Sequence, residues 1–160
     1  GRFILPRSAE GEWDWGQTRQ AAGVIEKDGM WWLYYTGYPF THDDPLRKQH
    51  YYTGIGLART PVGRVVSARS WKSKGTWTVG PLIMNGQTLS INARVYKEMD
   101  IEVLDNSGQP VPGFTAKIKM RDETRLPVEW TAGKLADLKG KPVKIRFNMY
   151  DAELFAITCD

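Results

Sequence analysis

The segment Met30–Tyr38, MWWLYYTGY, decides the fold of the first part of the chain. It is dominated by aromatic residues, which favour β-strands. Just before it, Asp28 and Gly29 suit the positive φ angles of a tight hairpin turn. Both alternating sets of its side chains are largely apolar, which is typical of a strand buried on both faces. The segment therefore predicts the central strand of an antiparallel sheet.

Neighbouring segments extend this strand into a predicted four-stranded sheet. Further strand-like runs, each closed by turn residues, are expected at residues 20–26, 51–59 and 64–68. Four short antiparallel strands in succession form a meander, which is the unit of a propeller blade. One isolated blade covers its faces poorly because blades normally bury each other by stacking. We therefore expect residues 1–70 to form a blade-like sheet with an exposed face, which either pairs with the same face of another copy or packs against the second part of the chain.

Residues 71–160 show a different pattern, with more numerous short strands. Polar and apolar side chains alternate in residues 144–149, as in a half-buried strand. Further strands are expected at residues 76–83, 88–93, 99–104, 116–120, 127–130, 143–149 and 154–158. Only Leu135–Leu138 looks helical. This part is predicted to be a β-sandwich, so that the whole chain is all-β.

Composition excludes several classes of function. The net charge of +4 comes without a basic run, which argues against nucleic-acid binding. No apolar run approaches the roughly 18 residues of a membrane span. The single cysteine, Cys159, allows neither an internal disulfide nor a Cys-rich metal site. Because His42 and its acidic neighbours fit no strong metal template, no metal or cofactor is expected. The compartment stays open, and secretion or a bacterial periplasm would be compatible.

Candidate binding residues cluster at one predicted sheet edge. Strand direction reverses at each hairpin, so the start of the first strand and the end of the second lie at the same edge. Trp13, Asp14, Trp15 and Gln17 are therefore expected near His42. Tryptophan rings stack on pyranose faces, while the polar side chains hydrogen-bond sugar hydroxyls. In a structural alternative, the tryptophans pack the sheet against a neighbour and Asp14 caps a turn.

The order of short motifs along the chain carries a family resemblance. The blade motifs are GEWDWGQ at residues 11–17, WLYYTG at 32–37, His42 and GIGLA at 54–58; the sandwich motifs are LSINA at 89–93, IEVLD at 101–105, PVPGF at 110–114 and LKGKPVKIRF at 138–147. Together they resemble the last blade and C-terminal β-sandwich of a five-bladed β-propeller glycoside hydrolase related to families 32 and 43.

This resemblance implies a carbohydrate ligand. It also implies that the catalytic carboxylates lie on earlier blades, so that this chain alone is inactive and contributes a sugar subsite with a buttressing sandwich. Two alternatives remain open: a non-catalytic carbohydrate-binding module and a structural or interaction module. A binding module would carry two or three exposed aromatic residues on one face. The predicted alternation instead directs most sandwich aromatics into the core, which favours a buttress.

Overall fold

The computed structural model describes Leu5, residues 7–45 and residues 52–160. Within these residues the elements are β-strands, apart from a 3-10 turn at Leu135–Leu138 and a 3-10 conformation at Pro45, so the predicted all-β fold class is confirmed. The chain divides into two compact units, Gly1–Val65 and Val66–Asp160, which we call unit 1 and unit 2. The first residue of the strand predicted at 51–59 lies outside the described residues.

Unit 1 is an antiparallel sheet centred on its third strand. Its strands are β1 (Gln17–Gln20), β2 (Ile25–Lys27), β3 (Met30–Tyr38) and β4 (Gly54–Pro61). β4 pairs along one edge of β3, whereas β1 and β2 pair in succession with the two ends of its other edge. The predicted strand at 20–26 is therefore two pieces interrupted in the middle, and the sheet is only three strand positions wide.

The turn chemistry of unit 1 explains where its sheet begins and ends. Asp28 and Gly29 have φ angles of 53° and 69°, which confirms the predicted hairpin turn between β2 and β3. The strand predicted at 64–68 does not join this sheet. Arg64 instead closes a turn by donating its backbone N–H to the Pro61 carbonyl at 3.0 Å. Ala68 then begins a long strand of unit 2, because its pairing partner is Leu154. The predicted domain boundary between residues 70 and 71 falls inside that strand.

Unit 2 is a four-stranded antiparallel sheet of long strands. These are β5 (Ala68–Ile83), β6 (Leu89–Leu104), β7 (Pro110–Pro127) and β8 (Pro142–Cys159). Their order across the sheet is β5-β8-β6-β7. The strands predicted at 88–93 and 99–104 are the two halves of β6, and those at 143–149 and 154–158 are the two halves of β8.

A line of irregularities crosses all four strands of unit 2, and we call it the fold line. The register shifts between Ser70 and Lys74 in β5 and between Val95 and Glu98 in β6. Both shifts lie opposite Asp151 of β8, and the shift in β6 also lies opposite Met120 of β7. Such bulges bend a strand and increase its twist. Aligned bulges therefore bend the whole sheet at one place.

Backbone hydrogen bonds show how far the sheet bends. The Thr131 N–H donates to the Thr115 carbonyl at 3.0 Å, although Thr115 lies near the start of β7 and Thr131 just after its end. The chain from Pro127 to Thr131 can span at most about 14 Å. A straight strand from Thr115 to Pro127 would span about 40 Å. β7 must therefore fold back on itself, and the hydrogen-bonded sheet bends with it.

The bend encloses a hydrophobic core. Both halves of β6 contribute to it, through Ile91 at 1% exposure and Ile101 at 1%. Phe147 of β8 is fully buried, and Leu135 and Leu138 of the 3-10 turn join the same cluster. Alternation along the strands places the polar residues on the outer surface. Unit 2 is thus one continuous, bent sheet with its apolar residues clustered in a core.

Candidate functional site

Trp13 packs on one face of the unit 1 sheet, in a notch made by glycines. Gly37 of β3 and Gly54 of β4 lie directly opposite each other, and a Cβ at either position would collide with the Trp13 ring. The same ring stacks on Tyr35, with the ring centroids 5.8 Å apart and the planes 23° apart. The absence of side chains at the glycine pair therefore positions Trp13 against the sheet.

Asp14 is buried on this same face. It is 3% exposed, and its Oδ2 accepts a hydrogen bond of 2.9 Å from the Tyr35 hydroxyl. Burial, together with the Asp14 carboxyl group, raises the pKa of Tyr35, so the phenol stays protonated and donates. The Oδ1 of Asp14 is buried and has no hydrogen-bond partner among the described residues. In this arrangement Trp13 and Asp14 attach the first segment to the sheet of its own unit, whereas the structural alternative had the tryptophans pack against a neighbour and Asp14 cap a turn.

Gln17 and His42 lie at the opposite face of the sheet. Gln17 pairs with Tyr38, and side chains of cross-strand partners share a face. Tyr38 and Tyr35 point to opposite faces because successive side chains alternate along a strand. Together with Arg19 and Phe40, these residues line a pocket of about 250 Å³: Gln17, Arg19, Tyr38, Phe40 and His42.

Internal contacts hold the shape of this pocket. The amide of Gln17 donates to the Phe40 carbonyl at 3.2 Å and accepts a hydrogen bond from Arg19 at 3.4 Å. The Arg19 guanidinium lies 5.5 Å from the centre of the Tyr38 ring, a cation–π contact. The rings of Tyr38 and Phe40 are 5.6 Å apart. The pocket therefore combines two aromatic rings with polar groups that are already oriented.

His42 stands at the mouth of the pocket. Its Nδ1 lies 3.2 Å from Asp43 Oδ1, and the two side chains are 68% and 99% exposed. A carboxylate beside one imidazole nitrogen orients the ring. His42 can therefore act as a hydrogen-bonding group at the pocket entrance.

The structure thus divides the predicted binding residues between two faces. Gln17 and His42 meet in one pocket, whereas Trp13 and Asp14 lie across the sheet from it. Trp15 is half-buried outside the pocket lining, and its backbone N–H donates to the Glu12 carbonyl at 3.3 Å. Arg19, Tyr38 and Phe40 were not predicted from the sequence. Arg19 and Tyr38 could have been predicted, because the alternation of side chains along β1 and β3 puts both on the face of Gln17.

The lining of the pocket is a mixture of aromatic and polar groups. Its lining side chains are aromatic, amide, guanidinium and imidazole, and none is a carboxylate. Within residues 7–45 and 52–160, no three His, Cys, Asp or Glu side chains are grouped so as to hold a metal ion. In the same part of the chain, no helix has the length and apolar character needed to cross a membrane.

Comparisons with known proteins give no relative. No protein-family model matches the sequence, no curated protein matches it, and no solved structure matches it. The geometry of the pocket and the family resemblance in the sequence are therefore the basis for the functional conclusions.

Proposed function

We propose that this chain supplies a sugar-binding subsite, without a catalytic carboxylate pair, to a carbohydrate-active protein related to the five-bladed glycoside hydrolases of families 32 and 43. The observation that carries the proposal is the pocket of unit 1. It presents the rings of Tyr38 and Phe40 beside the polar groups of Gln17, Arg19 and His42.

These groups match the two kinds of surface on a sugar ring. A pyranose has an apolar C–H face, which packs on aromatic rings, and an equatorial belt of hydroxyls, which needs donors and acceptors. The Gln17 amide and the His42 imidazole offer both. At about 250 Å³ the pocket is smaller than the roughly 300–1,000 Å³ of sites for drug-sized ligands, so it suits one sugar unit.

Unit 2 has a buttressing role in this proposal. The motifs that carry its part of the resemblance lie mainly in β6, β7 and β8. Their aromatic residues Phe114 and Phe147 are 4% and 0% exposed, as expected for a packing role. The chain's ligand class is accordingly poly- or oligosaccharide, with neither nucleic acid nor membrane as a partner.

A glycan array with the full chain tests the proposal, followed by calorimetric titration of the best-bound oligosaccharide. We expect the His42→Ala and Tyr38→Ala variants each to bind about 3–10-fold more weakly, since a lost hydrogen bond or ring contact is worth about 0.5–1.5 kcal/mol. Tyr52→Ala is the matched control, because Tyr52 is 90% exposed in unit 1 and outside the pocket. An array without any bound glycan, or unchanged affinity in both pocket variants, would overturn the proposal.

We also propose that two copies associate through the pocket-bearing face of the unit 1 sheet. Beside the pocket this face carries an apolar strip, defined by four exposed residues: Ile25 at 54%, Tyr34 at 41%, Ile55 at 80% and Leu57 at 40%. Pairing across the sheet puts all four on one face. A second copy offers a complementary strip of the same kind, which favours a twofold dimer.

A further inference from the structure

An aromatic row follows the fold line of unit 2. In the order of the strands across the sheet, Trp71 of β5 is followed by Tyr150 of β8, Tyr96 of β6 and Met120 of β7. Trp71 is 56% exposed, Tyr96 45% and Met120 74%, whereas Tyr150 is half-buried between its neighbours. We call these four residues the fold-line row.

Contacts with basic side chains place the row on the outer surface. The Arg69 guanidinium lies 3.8 Å from the centre of the Trp71 ring, and the Lys97 ammonium lies 5.3 Å from that of Tyr150. A hydrogen bond to Tyr96 is the main reason that the pKa of Arg94 is raised, while burial acts in the opposite direction. Three of the four members are therefore held in place by neighbouring cations.

A ladder of opposite charges runs parallel to the row, one step away along the strands. It joins all four strands through directly paired residues: Asp122, Arg94, Glu153 and Arg69. Arg94 lies 2.9 Å from Asp122 and 3.6 Å from Glu153, and Arg69 lies 3.4 Å from Glu153. Glu153 is only 9% exposed because an arginine lies on each side of it. The ladder neutralises its own charges and fixes the guanidinium planes beside the row.

The row and the ladder border a depression of about 360 Å³ between β6 and β7. Its lining combines one phenol ring, two guanidinium groups, one carboxylate and apolar side chains: Arg94, Val95, Tyr96, Met120, Arg121 and Asp122. Bulges often re-aim side chains at functional sites. Here the bulges expose Trp71 and Tyr96 on strands that are separated by one other strand, so their backbones lie about 10 Å apart.

We infer that the fold-line row is a second carbohydrate-binding surface, which takes an extended neutral polysaccharide across the strands. Trp71 and Tyr96 form stacking platforms spaced for two sugar units of one chain. The ion-paired side chains of the ladder donate to and accept from hydroxyls without needing to reorganise. This surface has the ligand class of the proposed function but none of the residues of the unit 1 pocket.

The charge balance favours a neutral ligand over a polyanion. Binding to phosphate backbones depends on uncompensated Lys and Arg side chains that release counterions. Along the ladder the arginines are already paired with Glu153 and Asp122. Around the row, Lys72 and Lys97 lie over aromatic rings. Charge compensation therefore applies to the ladder, where two arginines face two carboxylates, whereas Lys72 and Lys97 keep their charges.

Affinity electrophoresis tests this inference, with native gels that contain soluble mixed-linkage β-glucan, arabinoxylan, polygalacturonate or no polymer. We expect at least one neutral polymer to retard the chain. The Trp71→Ala/Tyr96→Ala variant should show at least a 10-fold higher dissociation constant for it, and Trp71→Phe should keep most of the binding. Ile83→Ala is the control, because Ile83 is 56% exposed in unit 2 and away from the row. Circular dichroism checks that each variant is folded.

The outcomes separate the two binding proposals. The Tyr38→Ala variant of the unit 1 pocket should leave gel retardation by the long polymer largely unchanged. A negative glycan array with retardation that depends on Trp71 and Tyr96 would remove the pocket and keep the fold-line row. Lack of retardation by both neutral polymers, or equal retardation of the double variant, overturns the inference. Preferential binding to polygalacturonate also overturns it, because the surface would then recognise anions.

Discussion

The two units are both antiparallel sheets, but they differ in how they obtain an interior. In unit 2 the long strands bend at the fold line, so the sheet covers its own apolar face. In the described part of unit 1, Leu33 is the buried apolar side chain, at 4% exposure, while aromatic rings of the same sheet remain accessible. The difference shows that strand content alone does not make a core. To bury an apolar face, a sheet must either bend over itself or pack against a partner.

The units also use tryptophan differently. Trp13 of unit 1 packs in a glycine notch beside Tyr35, and 39% of it remains exposed. Trp71 of unit 2 is exposed at a bulge, with Arg69 against its ring. The same residue type therefore packs against a pair of glycines in one unit and against an arginine in the other.

Among the variants that test this difference between the units, the largest loss of stability is expected from a substitution in the core of unit 2. Phe147 is fully buried and lies 5.7 Å from the Trp77 ring. Phe147→Ala should lower the free energy of unfolding of unit 2 by about 3–5 kcal/mol, because it removes buried surface and leaves a cavity. Hydrogen exchange in increasing urea would measure this unit by unit. Ile83→Ala is the control and should change the free energy by less than about 1 kcal/mol. Equal loss of protection in unit 1 would show that the two units unfold together.

A smaller effect is expected in unit 1 from the contact between Tyr35 and Asp14. Tyr35→Phe removes the hydroxyl that donates to Asp14 Oδ2, and the buried carboxyl group then has no side-chain donor among the described residues. An unsatisfied buried acceptor costs about 1–3 kcal/mol, so protection should fall in unit 1 and stay unchanged in unit 2. Tyr34→Phe is the matched control on the opposite face. If both variants were equally stable, the hydrogen bond would not hold the first segment to the sheet.

A substitution in the apolar strip is expected to change stability least, but to have a large effect on formation of the proposed dimer. Ile55 is 80% exposed, so Ile55→Lys should change the free energy of unfolding by no more than about 0.5 kcal/mol. The added charge would repel its symmetry mate and convert the proposed dimer to a monomer. Light scattering on a size-exclusion column measures the mass. A wild-type monomer, or a variant of unchanged mass, would contradict pairing through this strip.

Turn residues and polar–apolar alternation correctly predicted those parts of the fold that depend on residues close together in the sequence. The Asp28-Gly29 turn and the alternation at residues 144–149 gave strands that the structure contains. The sequence predicted two strands where β6 is one strand with a bulge. Tyr96 and Lys97 lie at this bulge, and as ordinary strand residues they give no sign of it. The positive φ angles of Lys72 (50°) and Met120 (47°) carry no sequence signal either, since such angles are usually filled by glycine. Bulges of this kind are set by long-range pairing.

Part of the candidate site could be predicted from the reversal of strand direction at each hairpin. Reversal brings the start of β1 and the end of β3 together, and Gln17 does meet His42. It does not decide which face the preceding segment takes. That choice follows from Gly37 and Gly54, which lie opposite each other only in the final register of β3 and β4. Register depends on pairing between strands that are distant in sequence, so Trp13 and Asp14 could not be placed in advance.

The pairing of β5 with β8 has a consequence for synthesis of the chain. Ala68 at the start of β5 lies opposite Leu154, near the end of β8. At roughly 5–20 residues per second, a ribosome needs several seconds to supply the partner of Ala68. During that interval β5 is an unpaired strand, and closure of so long a loop makes folding intrinsically slow. Unit 2 therefore completes its sheet only after its last strand, β8, emerges from the ribosome. Until then the nascent chain folds correctly only if aggregation is slow or a chaperone prevents it.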